Sequence, residues 1–142
     1  MTRVRVVVDS NVLVSGLRSR RGASYRLLRL VGTGRFTTVV SVPLVVEYEQ
    51  ALLDSTHGLP FDTDEIRRFI DYFCAVSNRR KVYFLWRPFL RDPGDDMVLE
   101  AAVAGQCTYV VSFNVRDFVG AERFGIRALP PAEFLKILGV RR

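Results

Sequence analysis

Two kinds of apolar block alternate along the chain: short β-branched runs, and longer runs with helical spacing. Arg3-Val-Arg-Val-Val-Val8 is of the first kind and ends at Asp9-Ser10-Asn11, which predicts a buried strand turning into the N-terminus of a helix. Ser24 is placed to cap a second helix carrying Leu27, Leu28, Leu30 and Val31, and Gly32 and Gly34 stop it before a strand over Phe36 to Val40. Pro43 opens another helix that reaches about Asp54. Asp62 and Glu65 have capping-box spacing, with Ile66, Phe69, Ile70 and Phe73 behind them at helical intervals. A third strand is expected over Lys81 to Leu85, a helix over Asp95 to Ala104, a fourth strand over Thr108 to Ser112 and a short fifth over Gly125 to Leu129. Pro130 and Pro131 introduce a last helix through Leu138.

Strands that alternate with helices predict an α/β fold with a mainly parallel sheet of four to five strands and right-handed crossovers. The length of 142 residues matches one domain spanning the whole chain. In an open parallel sheet, ligands bind beyond the carboxyl ends of the strands, near a switch in strand order. Asp9 stands at one such end, and Ser112 with the residues after it at another.

Composition adds a bias toward anionic partners. The net charge is +6, which favours phosphate polyanions but is equally what a solvated basic surface looks like, so position has to decide. Cys74 and Cys107 lie far apart among apolar residues and fit reduced core thiols better than a zinc knuckle or a disulfide scaffold. Apolar runs are short and broken by charges, and the N-terminus enters a strand pattern directly, so the expectation is a cytoplasmic protein with no membrane span.

Each acid near the strand ends has an ordinary explanation when taken alone. Asp9 could cap the following helix, as could Ser10 or Asn11, and Asp92, Asp95 and Asp96 would favour a helix dipole by about 0.3–1 kcal/mol each. Glu47 and Glu49 occupy opposite flanks of the helix after Pro43, and periodicity does not choose between them. Asp117 follows Ser112 and Asn114 within a turn or two of the fourth strand. What separate caps do not explain is convergence on one sheet edge. Two carboxylates ~4 Å apart repel by roughly 4 kcal/mol at an effective dielectric of 20, so a close cluster calls for protons or cations. Ligands that are all oxygen point to Mg²⁺ or Mn²⁺, and two such ions suit hydrolysis of a phosphodiester. His57 is the only histidine and sits in a loop, which leaves a Ser/His/Asp triad unsupported.

Four ordered blocks carry a resemblance: Val6-Val-Val-Asp-Ser-Asn-Val-Leu-Val-Ser15, Pro43-Leu-Val-Val-Glu-Tyr-Glu-Gln-Ala-Leu52, Asp92-Pro-Gly-Asp-Asp-Met-Val-Leu-Glu-Ala-Ala102 and Tyr109-Val-Val-Ser-Phe-Asn-Val-Arg-Asp-Phe118. In these the chain resembles the PIN-domain family, in the branch of toxin components of toxin-antitoxin pairs similar to VapC-type endoribonucleases. The resemblance implies a three-layer α/β/α sandwich and a Mg²⁺- or Mn²⁺-dependent ribonuclease with Asp9, Glu47, Asp96 and Asp117 as metal-holding catalytic acids. It selects Glu47 over Glu49, leaves Asp95 one step from the site, makes Asp92 a surface or capping residue, and gives Asn11 and Ser112 the role of orienting ligands or water. Many members of the family carry an acid where this chain has Asn114. The branch with a Ser/Thr-Phe-Asn-x-x-Asp pattern uses the later acid, so Asp117 takes the fourth place.

With those four acids set aside, 21 Lys and Arg face 11 Asp and Glu, which leaves +10 around an acidic pit. Arg18, Arg20 and Arg21, close in sequence to Asp9, and Arg116, beside Asp117, are candidates to hold an RNA backbone. Arg79, Arg80 and Lys81 read as a solvated face. Phe69, Tyr72 and Phe73 favour a homodimer interface over base stacking. An antitoxin protein is a further expected partner. Two alternatives stand beside the ribonuclease: a catalytically silent PIN-fold binding module, motivated by Asn114, and an aspartate-based phosphatase or phosphotransfer domain using Asp9, against which Asn11 argues.

Overall fold

The computed structural model describes residues 3–55, 58–82, 90 and 92–140. Among these described residues the sheet has five parallel strands: β1 (Arg5–Val8), β2 (Thr37–Val40), β3 (Asn78–Arg79), β4 (Tyr109–Val111) and β5 (Arg127–Leu129), in the order β3-β2-β1-β4-β5. The helices are α1 (Ser10–Arg18), α2 (Ala23–Leu30), α3 (Val42–Asp54), α4 (Thr63–Val76), α5 (Pro93–Ala104) and α6 (Pro131–Ile137), and two single 3₁₀ turns, Val115–Phe118 and Ala121–Phe124, join β4 to β5.

Connections from β1 to β2 and on to β3 step outward in one direction, whereas the connection through α5 returns across the sheet to β4. With right-handed crossovers, the reversal puts α5 on the face opposite α1 to α4. Consistent with this, α5 packs on β1, β2 and β4, while α1 packs on α2 and α3, α3 on α4, and α2 on α6. The result is the α/β/α sandwich that the sequence led us to expect. The central strands read Val6-Val-Val8 and Val110-Val111 because both their faces are covered; all five residues are inaccessible to solvent.

Three local expectations differ from the structure. The third strand is Asn78–Arg79 rather than Lys81 to Leu85: its pairing is fixed by Val39↔Asn78 and Val40↔Arg79, so it starts as soon as α4 ends. Lys81 and Val82 lie past it, and residues 83–85 fall outside the described set, as does His57. Ser24 does not cap α2. Gly22 holds the N-cap position, and Ser24 is inside the first turn with its hydroxyl buried. On α4, Phe73 belongs to the core rather than to an interface, with its ring edge-on to Tyr48 at 5.5 Å; Phe69 is half-buried and Tyr72 exposed. The expected capping box is present, with Glu65 N–H donating to Asp62 Oδ1 at 2.8 Å and Asp62 N–H to Glu65 Oε1 at 3.0 Å. Neither cysteine is in a disulfide. No helix among the described residues is long and apolar enough to cross a membrane.

Candidate active site

β1 and β4 are neighbours from which the chain leaves in opposite directions, so the switch in strand order falls between their carboxyl ends. Asp9 emerges there. Its N–H still belongs to the ladder, donating to the Val111 carbonyl at 2.9 Å. Although Asp9 is the N-cap residue of α1, its carboxylate makes no cap hydrogen bond. Oδ2 instead accepts from Ser112 Oγ at 2.6 Å, across the switch.

Ser112 is a saturated hub. Its Oγ accepts from Asn114 N–H at 3.0 Å and from the Asn11 side-chain amide at 3.4 Å. A hydroxyl has two acceptor sites and one proton, so with both sites taken the proton is directed to Asp9. The Asn11 Oδ1 accepts from Phe113 N–H at 3.4 Å and ties the same loop to α1.

Glu47 reaches the site from the other side of β1. Pairing of β1 with β4 runs to Val8↔Val111, but pairing with β2 ends at Val6↔Thr38, so the Val8 carbonyl is free of the ladder on the β2 side. The buried Tyr48 hydroxyl donates to that carbonyl and clamps α3 to the end of β1. Glu47, the preceding residue, is thereby held half-buried at the site, whereas Glu49 is exposed. Tyr48 has an apolar ring that fits the buried face of α3, so periodicity alone does not mark it out. Its hydroxyl next to a candidate acid was the available signal.

The third stretch arrives on α5. Asp92 caps this helix, accepting from Gly94 N–H at 2.8 Å. Asp95 faces the site directly rather than one step away. Asp96 is turned inward: Oδ1 accepts from Leu90 N–H at 2.8 Å, and Oδ2 is buried without a hydrogen-bond partner. The helix wheel carries the signal for this difference, because Asp96 shares its stripe with buried Leu99 and Glu100.

Asp9, Asn11, Glu47, Asp92, Asp95 and Asn114 line a cavity of about 170 Å³. Asp96 and Asp117 stand outside its wall. Asp117 is exposed on the first 3₁₀ turn, near enough for its charge to act on Asp9 and Asp95. Burial raises the Asp9 carboxyl above its ordinary range, hydrogen bonds from Ser112 and Ser10 counter it, and the Asp117 charge adds to it. Glu47 is raised by burial and then by Asp9, Asp92 and Asp54. Asp95 is pushed up to about 7, by burial first and then by Asp9, Asp117, Asp92 and Asp96. Burial is thus the first cause at all three, and like charge adds to it.

Among the described residues, no three His, Cys, Asp or Glu side chains stand close enough together to hold a metal ion as they are placed. The donor chemistry nevertheless suits a hard cation: the cavity acids offer only oxygen, burial and neighbouring carboxylates raise Asp9, Glu47 and Asp95, and Asp96 keeps a buried oxygen uncommitted among the described residues. Of the candidate RNA-binding residues, Arg18, Arg20, Arg21 and Arg116 are all exposed. Arg18 ends α1, so the rise of that helix separates Arg18 to Arg21 from Asp9 by about 12 Å or more. Arg116 shares the 3₁₀ turn with Asp117 and is nearer to the cavity in sequence, two residues from Asn114.

No curated protein matches the sequence. Among solved structures, a chain from the crystal structure of VapBC2 from Rickettsia felis bound to a DNA fragment from their promoter is similar, with 14% identity, a TM-score of 0.61, and coverage of 88% of this chain and 98% of that one. At that identity the likeness shows a shared fold. The family model for the PIN domain matches residues 5–116, which takes in β1 to β4 and every wall residue of the acid cavity. The chain belongs to the PIN domain family.

Proposed function

We propose that this protein is a ribonuclease that hydrolyses RNA phosphodiester bonds with Mg²⁺ or Mn²⁺ and serves as the toxin component of a toxin-antitoxin pair in the cytoplasm. The observation that carries the reading is the convergence of Asp9, Glu47 and Asp95 on one cavity at the β1/β4 switch, with Asp9 oriented by Ser112. PIN domains are generally nucleases and typically use divalent metals. Asp9 and Glu47 would hold the ion, together with the third acid supplied by the Asp95-Asp96 pair, in which Asp95 faces the cavity and Asp96 retains an open oxygen. Asp117 contributes charge from the rim. The ion supplies Lewis acidity toward a phosphodiester. Ser112 and Asn11 keep the Asp9 carboxylate in one orientation, and Arg116 pairs with the RNA backbone beside the cavity.

The VapBC2 complex motivates a cognate antitoxin, and the exposed Tyr72 with half-buried Phe69 on α4 supports a homodimer. Asn114, a neutral amide in the cavity wall, favours one second reading, a PIN-fold module that binds RNA without cutting it.

Incubating the chain and its Asp9→Asn and Asp96→Asn forms with structured RNAs, with and without Mg²⁺ or Mn²⁺, tests the proposal. Cleavage is expected only with metal, and each variant is expected to lose on the order of 100-fold or more, beyond the 10–100-fold typical of residues that merely support a metal ligand. Undiminished activity in both variants sinks the assignment. Full RNA binding with no cleavage under Mn²⁺ selects the silent module.

A further inference from the structure

A second cavity, of about 620 Å³, opens on the same edge of the sheet. Its wall follows directly from the topology: Val42 and Val46 lie on the first turns of α3, just beyond β2, and Arg79, Arg80 and Lys81 lie at and just beyond the end of β3. Val42 is 78% exposed and Val46 61%, which is unusual for aliphatic residues on a helix that otherwise buries Leu44, Tyr48 and Leu52. The basic lip is anchored. Arg80 N–H donates to the Val40 carbonyl at 2.9 Å, and its guanidinium Nε donates to Asn78 Oδ1 at 2.7 Å, while Arg79 and Lys81 are exposed.

This cleft and the acid cavity share one helix. Val46 and Glu47 are consecutive on α3, so they point about 100° apart, one toward each cavity. Adjacent strands lie ~4.8 Å apart, which puts the ends of β2 and β3 about 5–10 Å from the end of β1, where Asp9 stands. The acid cavity repels a phosphate strand unless cations flank it, and the nearby cleft supplies three cations next to an apolar wall. An apolar wall with a basic lip fits a nucleotide: the base packs on Val42 and Val46 and the phosphates pair with Arg79 and Lys81. A duplex keeps its bases stacked inside and could not use the wall, so the fit is to a single strand.

We propose that this cleft is a subsite for the nucleotides that flank the scissile phosphodiester of a single-stranded RNA. The inference rests on the ribonuclease reading. It also changes the role of Arg79, Arg80 and Lys81, which sequence alone left as a solvated face.

The test is equilibrium binding of short fluorescent single-stranded RNA to the full chain in EDTA across a salt series, with sedimentation as a parallel readout. The Arg79→Gln/Lys81→Gln variant is expected to flatten the slope of log K against log salt by about 1.4, at roughly 0.7 per lost phosphate contact. Val46→Asp is expected to weaken binding at least tenfold. Both variants alter exposed side chains, so melting temperature should hold. If the wild type binds and cleaves RNA but both variants keep its slope and affinity, the subsite is overturned and the ribonuclease reading stands. If the variants change self-association and leave RNA binding alone, the cleft is a protein interface and the proposal is equally overturned. A wild type that neither binds nor cleaves RNA overturns the ribonuclease reading and the subsite with it.

Discussion

At its carboxyl edge the sheet gathers like charges, while at its amino edge it sets a cation against a helix terminus. Asp9, Glu47 and Asp95 share a small cavity where burial raises all three carboxyls above their ordinary range, and the Asp9 charge adds to the rise at Glu47 and Asp95. At the other end of β1, Arg5 Nε donates at 2.8 Å to the carbonyl of Gly105, which closes α5, so the guanidinium meets the negative end of a helix dipole. Next to it the Cys107 thiol is buried and pushed up to about 12, and stays neutral. Gly105 lies so close against β2 that a Cβ there would stand 2.5 Å from Val39 Cγ1. The two ends of the same strands thus obey different constraints. Packing governs the amino edge, and the carboxyl edge retains an electrostatic cost that a bound cation would relieve.

The first way to break this contrast is to remove the group that orients Asp9. Ser112→Ala deletes the only proton the hub can direct to the carboxylate, and Asn11 and Asn114 lose their common acceptor. Loss of such a supporting partner typically costs 10–100-fold in metal affinity, so calorimetric titration with Mn²⁺ is expected to show a drop in that range. An unchanged affinity means that Ser112 does not govern the site.

The mirror-image change belongs at the amino edge. Gly105→Ala forces a methyl group onto Val39, whose β-branched side chain in a buried strand has little freedom to yield. Overpacking of this kind costs roughly 1–3 kcal/mol, to be read from urea unfolding, while Mn²⁺ affinity should hold. If Gly105→Ala weakens metal binding as much as Ser112→Ala does, the two edges are not separable.

The same asymmetry marks what could be read from the sequence. Elements whose residues answer to one requirement were legible: the buried β-branched strands β1 and β4, the capping box before α4, and the proline starts of α3 and α6 all stand close to where the pattern put them. β3 at Asn78–Arg79 was missed because a two-residue strand carries no periodicity, and it is its pairing with Val39 and Val40 that defines it. At the site, Asp9 and Ser112 were legible as strand-end residues, but their mutual hydrogen bond spans 103 positions and leaves no local trace. Glu47 over Glu49 was settled by resemblance, and in the structure the Tyr48 clamp is what turns Glu47 to the cavity. Asp95 and Asp96 differ by 100° on one helix, and only the packing of α5 separates the wall residue from the buried one.

The smallest expected effect sharpens the contrast by titrating it. The Asp95 carboxyl is raised from 3.8 to about 7 in the fold, and Asp9 and Glu47 are raised in the same direction. A group raised in this way favours folding while protonated, so its contribution is fully present below the unfolded value, near pH 4, and is lost as pH rises through about 7. The metal-free protein should therefore melt at a lower temperature at pH 8 than at pH 5. Asp95 is only half-buried, so solvent screening keeps the change to a few degrees at most. On the proposed metal-dependent reading, Mn²⁺ would compete with protons for the ionised acids and should restore the melting temperature at pH 8 more than at pH 5. Asp95→Asn removes the carboxyl raised to about 7 and should flatten the metal-free profile. A wild-type melting temperature that rises across this window would show that the cavity does not hold its acids above their ordinary range.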